Sequence, residues 1–597
     1  MNAVAAVFGA DPPESRAAVA RMLDRMARAQ GQRLIVAHAL GAIGAAGRAP
    51  ASAGMEDGTM LAGDIRLSNR AEVRAALGLD ARVDDARLAV EAFAKSGAEF
   101  ARQLVGEFAL VILDPSGGRL LAVRDSLGMR PLYYRIDGRG VRLASELRAL
   151  VEPGDEADEG YLAEALAGDV VDLQGTPYRS IKRVPAAHVL VASMSGTRLV
   201  RYWEPHPAVL EGRPAEHAER FREAFDESVR ACCDGIDRVG VHLSGGLDSS
   251  SVLGTVMANT LAAPVTASLV LPWPESDERA WIAAAAAHWS LTPILVEPPS
   301  APAAHGLSAI PEHRDLPDPP SFGPLLAPMH QALHAAGVDV VLTGLGGDQW
   351  WSGESAHMAD LLRRGDLRAL LAWKRAGGAM GESEWNWRSF VQNGMLPLVP
   401  ARARRLARAR VPARPPAWIE RAFAARVDLM GRLRNRPPTP DAPSESWRRL
   451  RWRLDSGQEA LVKERLDRMA VAHGVELRHP MYDRRLVELA LATPDDARIA
   501  DGRNRVVFRN AMADRLSPAT FARSTKADLS PLLLAGARAA DVERHLSLRR
   551  LTALGWIDTR AAASIVARAR AGDLNAALPV WDLIGVEAWF DEIFGAE

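Results

Sequence analysis

An apolar run at residues 238–243, RVGVHL, leads directly into the loop SGGLDSS at 244–250 and then into the helical pattern SSVLGTVMANTL at 250–261. A continuously apolar strand is typical of a parallel sheet that is buried on both faces. The order strand, loop, helix therefore predicts a parallel α/β sheet with this loop at the carboxyl ends of its strands. Ligands of open α/β sheets bind at that edge.

The loop itself has the composition of an anion site. Its glycines allow the backbone to approach a ligand closely, its amides and serine hydroxyls donate hydrogen bonds, and the N-terminus of the next helix favours negative charge. These features predict a phosphate ligand. No lysine follows the second glycine, so the loop differs from the one that serves ordinary γ-phosphoryl transfer. The carboxylate of Asp248 would repel a phosphate unless a divalent cation joined the two, which predicts Mg2+.

The chain of 597 residues is long enough for two or more domains. Residues 1–205 alternate short apolar strands with polar turns and include two helical patterns, which predicts an α+β domain of packed sheets and helices. Residues 204–214, EPHPAVLEGRP, are a candidate linker. We expect an α/β domain over residues 215–597, with a helical C-terminal part from about residue 355 onward.

Composition excludes several classes of function. The 73 basic and 74 acidic residues nearly cancel, so no overall field favours nucleic acid or an anionic membrane as a partner. No apolar run approaches the roughly 18 residues that a membrane span requires, and the first residues lack the basic region of a secretory signal. The two cysteines are adjacent and form no disulfide framework. These patterns indicate a cytoplasmic protein.

Four segments, in sequence order, resemble the asparagine synthetase group of the adenylating ATP pyrophosphatases. The loop SGGLDSS is similar to the family's pyrophosphate loop (PP-loop), and VVLTGLGGDQWW at 340–351 is similar to its Ser-Gly-x-Gly-x-Asp-Glu segment. KERLDRMAVAHGVELRHPMYD at 463–483 and FRNAMADRLSPATFARSTK at 508–526 resemble its two C-terminal blocks. The resemblance implies a fold of the adenine nucleotide α-hydrolase type, with ATP and Mg2+ as cofactors.

The same resemblance implies roles for individual residues. Asp248 and Asp348 would hold Mg2+, and Lys526 falls on the family's catalytic lysine. An ammonium there would stabilise charge on the α-phosphate and then on the tetrahedral adduct of an acyl-adenylate. Glu464 lies in the block that carries a catalytic glutamate in β-lactam synthetases, and we expect it to act as a base. The residues expected to bind ATP, with Leu243 and Val270 at the adenine, are Leu243, Ser244, Gly245, Gly246, Leu247, Asp248, Ser249, Ser250, Val270, Thr343 and Gly344.

The first domain resembles the glutaminase domain of the same family, a class II amidotransferase with an Ntn-hydrolase-like sandwich. RDSLGMRPLYY at 124–134 and LASELRAL at 143–150 carry this resemblance. The glutaminase reaction needs a cysteine that becomes the N-terminus, but position 2 is Asn2, and Cys232 and Cys233 lie outside the domain. We therefore expect an inactive glutaminase-like domain.

Without ammonia from glutamine, the amine that attacks the adenylate must come from another source. Two related groups also have an inactive front domain. In β-lactam synthetases the amine belongs to the small substrate itself. In lasso peptide cyclases the N-terminal amine of a peptide attacks an activated Asp or Glu side chain and closes a macrolactam.

We favour the lasso peptide cyclase, which would act on the core peptide of a precursor, with a leader peptidase and a leader-binding protein as partners. The chain has fifteen tryptophans, and Trp350 and Trp351 follow the Asp348 segment, where they would either cradle a peptide ring or pack in the core. The Arg-rich segment 401–414 is a candidate site for a peptide carboxylate or else a solvated surface. The alternative is a β-lactam synthetase-like or asparagine synthetase-like ligase with a small amino-acid substrate. The two aspartates and Lys526 disfavour a nucleotide-binding protein without activity.

Overall fold

The structure is a computed structural model of the chain. It describes residues 2–26, 30–80, 82–259, 262–297, 315–317, 323–375, 387–400, 403, 414–436, 439, 442–500, 503–523, 525–537 and 543–594.

The N-terminal part is a sandwich of two six-stranded antiparallel sheets flanked by helices. The first sheet has the order β10-β8-β9-β1-β3-β2, and its strands are β1 (Asn2–Phe8), β2 (Gln32–His38), β3 (Gly41–Gly47), β8 (Tyr133–Asp137), β9 (Gly140–Ala144) and β10 (Ile181–Arg183). The second has the order β12-β11-β7-β6-β5-β4, and its strands are β4 (Ala51–Gly54), β5 (Met60–Leu67), β6 (Gly106–Asp114), β7 (Arg119–Arg124), β11 (His188–Ser193) and β12 (Gly196–Arg201).

Strand β1 shows why these sequences form a sandwich. Its even residues Val4 and Phe8 face the second sheet in one apolar cluster, whereas its odd residues Ala3 and Val7 belong to a different cluster on the outer face of the first sheet. All seven residues of the strand are buried. Because side chains alternate along a strand, a strand with apolar side chains on both faces must be covered on both faces. This finding confirms an α+β domain of packed sheets and helices.

The second part contains a five-stranded parallel sheet of order β15-β14-β13-β16-β17. Its strands are β13 (Val239–His242), β14 (Val265–Leu269), β15 (Ile294–Val296), β16 (Val340–Leu342) and β17 (Glu476–Arg478). The PP-loop follows β13 in the middle of the sheet, and the 340–351 segment follows the neighbouring strand β16. The parallel α/β sheet predicted from the loop is confirmed, and it brings the two segments to the same edge.

The other main elements of the described chain are helices, which follow one another after residue 355 except at strand β17. The α-helices are Pro12–Asp24, Arg70–Leu77, Asp85–Ser96, Glu159–Leu166, Pro214–Cys233, Leu247–Asn259, Arg279–His288, Gly323–Ala335, Gly347–Trp351, His357–Arg364, Leu367–Arg375, Trp387–Ser389, Arg421–Arg426, Leu429–Arg434, Glu445–Leu454, Gly457–Ala472, Arg484–Ala492, Asp495–Arg498, Val506–Ala511, Pro518–Ala522, Ser530–Ala537, Glu543–Leu546, Arg549–Ala553, Thr559–Arg570 and Leu574–Phe594. Within the described ranges, none of these helices is long and apolar enough to cross a membrane.

The C-terminal helices do not pack only on the second domain. They share an apolar cluster with the outer face of the first sheet, to which the helix Leu574–Phe594 contributes Trp581 and Trp589. The ring of Trp589 meets the ring of Tyr178, in the first domain, edge to face at 5.5 Å between centroids. The last strand of the sandwich ends at Arg201 and the next helix begins at Pro214. The C-terminal helices therefore share part of their core with the first sheet, and the domain division expected at residues 204–214 stays a prediction.

Candidate active site

The PP-loop is held in shape by its glycines. Gly245 has a φ of +69°, and a Cβ atom there would lie 2.4 Å from the carbonyl carbon of Trp281, so no other residue fits this turn without a shift of backbone. The helix Leu247–Asn259 begins within the loop and directs its N-terminus toward the edge of the sheet. The sequence thus builds the close backbone approach that an anion site requires.

The serine hydroxyls of the loop divide into two groups. Ser249 Oγ accepts a hydrogen bond from the Ser244 N–H at 3.1 Å and lies 3.0 Å from Ser244 Oγ, so these two residues brace the loop. Ser250 Oγ is buried and has no hydrogen-bond partner among the described residues. A buried hydroxyl without a partner is costly. A phosphate oxygen would satisfy it, which fits the expected ligand.

The 340–351 segment touches the PP-loop directly. A Cβ atom on Gly344 would lie 2.8 Å from both Cβ of Asp248 and the backbone nitrogen of Ser249, so only glycine permits this contact. Thr343 donates its N–H to the Arg478 carbonyl at 3.1 Å, and its Oγ1 lies 2.6 Å from Nδ1 of His479. Residues after three neighbouring strands thereby form one surface.

Both expected metal carboxylates face a common point, and a guanidinium occupies it. Arg505 Nη1 donates to Asp348 Oδ1 at 2.9 Å and to Asp248 Oδ2 at 3.2 Å, and its Nη2 donates to the other oxygen of Asp248. Lys526 Nζ donates to the remaining oxygen of Asp348 at 2.7 Å. The structure therefore brings together Asp248, Asp348 and Lys526, as the sequence predicted.

The two carboxylates differ in their electrostatics. Burial raises the pKa of Asp248 above its usual value, and the attraction of Arg505 only partly opposes this effect. Burial also acts to raise the pKa of Asp348, but Arg505 and Lys526 together outweigh it and hold the pKa below its usual value. Asp348 is thus the more firmly ionised member of the pair.

This donor set fits Mg2+. Carboxylate oxygens are the ligands that Mg2+ prefers, and the ion is usually held by one or two of them together with phosphate oxygens of the substrate. One guanidinium reaches Asp248 and Asp348 at once, so both carboxylates lie close to a single cation position. In this site the ion would neutralise the charge on a leaving pyrophosphate.

Other predicted residues lie near the loop without a contact that tests their role. Leu243 and Val270 are buried at the ends of the neighbouring strands β13 and β14. Their backbone N–H groups are engaged by the Ala267 and Val296 carbonyls, respectively. That they flank an adenine stays a prediction, as does the role of Gly246 and Leu247 in binding ATP.

Glu464 is not part of this group. Its side chain is 1% exposed and lies between two arginines of the first domain: Arg183 Nε is 2.7 Å from Oε1, and Arg124 Nη2 is 3.0 Å from the same oxygen. Arg183 also donates to Oε2 at 3.0 Å. Although burial acts to raise its pKa, the two arginines lower that pKa to about 2. Its role as a base stays a prediction, and this position favours a structural role in joining the domains.

Two further expectations about a peptide surface have different outcomes. Trp350 and Trp351 are each 1% exposed and lie in the apolar core of the second domain, so they do not cradle a ligand. The pattern of two consecutive tryptophans gave no means of separating core packing from a binding role. The Arg-rich segment 401–414 lies outside the described residues except at positions 403 and 414.

Sequence reasoning missed Arg505 and His479. Arg505 precedes the 508–526 block and has a left-handed backbone with φ of +63°, which no local pattern indicates. His479 follows β17 within the 463–483 block, so its position after a strand of the parallel sheet was an available signal.

Comparison with known proteins agrees with this geometry. Residues 220–591 match the asparagine synthase family, and residues 43–203 match the glutamine amidotransferase domain family. The first match covers more than half of the chain. The chain belongs to the asparagine synthase family. Its first part is accordingly a glutamine amidotransferase-type domain.

The similar proteins include one named as an amidase and one named as an asparagine synthetase. Amidase chyE of Penicillium rubens is 27% identical over 303 residues, which are 47% of this chain and 45% of that protein. Asparagine synthetase [glutamine-hydrolyzing] 3 of Bacillus subtilis is 27% identical over 187 residues, 31% of this chain and 30% of that protein. The chain thus spans less than half the length of these relatives. Among solved structures, the glutamine phosphoribosylpyrophosphate amidotransferase from B. subtilis is 15% identical, with a TM-score of 0.26, over 40% of this chain and 60% of that chain.

The contact between the PP-loop and the 340–351 segment leads to a testable prediction for Gly344→Ala. The added methyl group would overlap Asp248 and Ser249, and relief of such overpacking typically costs about 1–3 kcal/mol. We expect binding of a non-hydrolysable ATP analogue, measured by calorimetry, to weaken at least about tenfold. The matched control is Gly138→Ala, because an added Cβ there meets no described atom within 4 Å. Unchanged affinity in a folded Gly344→Ala protein would show that the loops do not form the nucleotide site.

Proposed function

We propose that the chain is an ATP-dependent amide ligase that activates a carboxylate as its acyl-adenylate and then joins it to an amine. The observation that supports this proposal most strongly is the group of Asp248, Asp348 and Lys526 at the carboxyl edge of the parallel sheet. Lys526 Nζ lies 2.7 Å from Asp348. Two carboxylates that can hold a metal ion and one largely exposed ammonium suit the displacement of pyrophosphate.

The first step is an in-line substitution at the α-phosphorus of ATP. A carboxylate oxygen of the substrate forms a bond to phosphorus, the bond from phosphorus to the α–β bridging oxygen breaks, and pyrophosphate leaves with that electron pair. The PP-loop would hold the departing phosphates through its amides and the Ser250 hydroxyl. Lys526 would stabilise negative charge on the α-phosphate, because its side chain is 62% exposed and free to reach the substrate from Asp348.

The second step is attack of an amine on the activated acyl carbon. The new C–N bond forms, the C–O bond to AMP breaks through a tetrahedral adduct, and the amine proton passes to solvent. An N-terminal α-amine has a pKa near 8, so a substantial fraction is already unprotonated at neutral pH. Lys526 would again stabilise the oxyanion.

The source of the amine separates the candidate substrates. Residues 1–205 contain no cysteine, so this part of the chain lacks the nucleophile of a glutaminase. The side-chain amide of Asn2 is buried, and it donates to the Ala49 carbonyl at 2.9 Å and to Asp64 at 3.3 Å. We therefore infer that the substrate supplies its own amine. In the reaction that we favour, the N-terminal amine of a core peptide attacks its activated Asp or Glu side chain and closes a macrolactam, as in a lasso peptide cyclase.

A second candidate is a ligase for a small amino-acid substrate. Some of the similar proteins favour it, because they are named as amidases and as asparagine synthetases. In that reaction the amine would belong to the same small molecule, as in β-lactam formation, or to free ammonia.

Mass spectrometry of reaction products distinguishes the two candidates. Leader-free core peptides with a free N-terminus and an internal Asp or Glu remove the need for a leader peptidase or a leader-binding partner. With ATP and Mg2+, we expect a product that has lost one water and resists exopeptidases. The same peptides with an acetylated N-terminus are the control and should not react. If no peptide of the panel is dehydrated while a small amino acid is, the peptide proposal is wrong and the second candidate replaces it.

A further inference from the structure

Arg505 bridges the two carboxylates that are expected to bind a metal ion. It contacts Asp348 through Nη1 at 2.9 Å and Asp248 through Nη1 at 3.2 Å and through Nη2. The three side chains come from three separate segments: the helix after β13, the helix after β16 and the turn before the helix Val506–Ala511. This contact is therefore a product of the tertiary fold.

The guanidinium is held firmly in this position. The backbone of Arg505 adopts a φ of +63°, which is unfavourable for a side chain of this size. Asn504 supports the turn, since its Oδ1 accepts the N–H of Arg505 at 2.8 Å and the N–H of Gly353 at 2.8 Å. The guanidinium carbon lies 4.7 Å from the ring centroid of Phe508, which is fully buried.

Gly347 packs directly against the bridge between Arg505 and Asp248. A Cβ atom on Gly347 would lie 2.3 Å from Oδ1 of Asp248 and 2.8 Å from Nη2 of Arg505. Arg505 Nε is buried and has no hydrogen-bond partner among the described residues. The hydrogen bonds of the guanidinium to described residues therefore go to Asp248 and Asp348. A divalent cation cannot occupy the space between the same oxygens while the guanidinium is there.

The charges of the group balance. Asp248 and Asp348 carry two negative charges, and Arg505 and Lys526 carry two positive ones, so these four side chains are neutral together. A free Mg2+ ion would meet no net attraction and would be repelled by the nearby guanidinium. A nucleotide changes this balance, because its phosphates bring negative charge and offer the guanidinium alternative acceptors.

We infer that Arg505 acts as an internal counter-cation that keeps free divalent ions out of the site. Its guanidinium releases the two carboxylates only when a metal ion binds together with a polyphosphate. This inference deepens the proposed function by specifying how the site takes its metal. The protein binds Mg2+ together with the nucleotide and not before it. Arg505 is thus a positioning residue that controls access of the metal to Asp248 and Asp348.

Binding of Mn2+, followed by electron paramagnetic resonance without nucleotide, tests the inference. The wild-type protein should bind Mn2+ weakly, and Arg505→Gln should bind it at least tenfold more tightly, because two carboxylates then lack their counter-charge. Arg505→Gln combined with Asp348→Asn should lose that gain. The control is Arg222→Gln, which removes an arginine from another bidentate pair, with Asp514 at 2.7 Å, and should leave Mn2+ binding unchanged.

Two results would overturn the inference. One is tight binding of Mn2+ by the wild-type protein without nucleotide, a measurement that needs no variant and therefore stands even if Arg505→Gln does not fold. The other is equal or weaker Mn2+ binding by a folded Arg505→Gln protein, as judged by its thermal melting. Neither measurement requires turnover, so failure of the proposed reaction, seen in its products, is distinguishable from failure of this inference.

Discussion

Lys526→Ala is expected to lower kcat about 10²–10³-fold, the usual effect of removing one group that stabilises charge in a transition state. Lys526 Nζ is anchored to Asp348 at 2.7 Å, yet most of its side chain is exposed. It can therefore contact a substrate without a change of fold. Binding of an ATP analogue should persist, since the PP-loop keeps its amides and hydroxyls. Initial rates of amide formation and calorimetric binding measure the two quantities separately.

Two further variants make this test specific. Lys526→Arg keeps the charge but replaces a compact ammonium with a larger, planar guanidinium, so we expect a partial loss of activity. Lys182→Ala is the matched control, because Lys182 also pairs with an aspartate, Asp158 at 3.4 Å, but in the first domain. Normal turnover by Lys526→Ala would show that Lys526 has no catalytic role.

Glu464→Ala is expected to lower the free energy of unfolding by about 3–5 kcal/mol, because it leaves two buried guanidinium groups without their shared carboxylate. Both Arg124 and Arg183 are 1% exposed and contact Glu464 at 3.0 and 2.7 Å. The matched control is Glu156→Ala. Its partner Arg179 and Glu156 itself are largely exposed, so we expect a loss of no more than about 1 kcal/mol there. Urea denaturation at constant temperature measures both variants.

The effect of Glu464 depends on pH in a definite direction. Its pKa in the folded protein is about 2, below the value of about 4.3 in an unfolded chain. The ion pairs therefore contribute their full stability above about pH 5, and this contribution is lost as the pH falls toward 2. The difference between the wild-type protein and Glu464→Ala should shrink over the same range. Unchanged stability together with loss of the acidic limb of the pH–rate profile would instead support the catalytic base expected from the sequence.

The parts of the site that sequence could predict are local. The PP-loop and the 340–351 segment each consist of a strand, a glycine turn and a helix start, and each pattern is complete within about a dozen residues. Their convergence follows once both strands are placed in one parallel sheet. Lys526 was found through a resemblance over a whole block, since a single lysine carries no pattern of its own.

The parts that sequence could not predict depend on contacts between distant segments. Arg505 reaches Asp348 across 157 positions and Asp248 across 257. Glu464 contacts Arg183 across 281 positions, so its interdomain role had no local signal. The packing of Trp589 on Tyr178 likewise depends on how the C-terminal helices return to the first sheet. Charge and hydropathy indicate that such groups must find partners, but not which partners they find.

The nucleotide products of the reaction distinguish adenylation of the substrate carboxylate from its phosphorylation. With a substrate that gives a dehydrated product, we expect one AMP and one pyrophosphate for each amide formed, resolved by ion-exchange chromatography. Substrate labelled with ¹⁸O in the reacting carboxylate should transfer one labelled oxygen to AMP. Release of ADP and labelled inorganic phosphate would show activation by phosphorylation and would contradict the adenylation chemistry assigned to Asp248, Asp348 and Lys526.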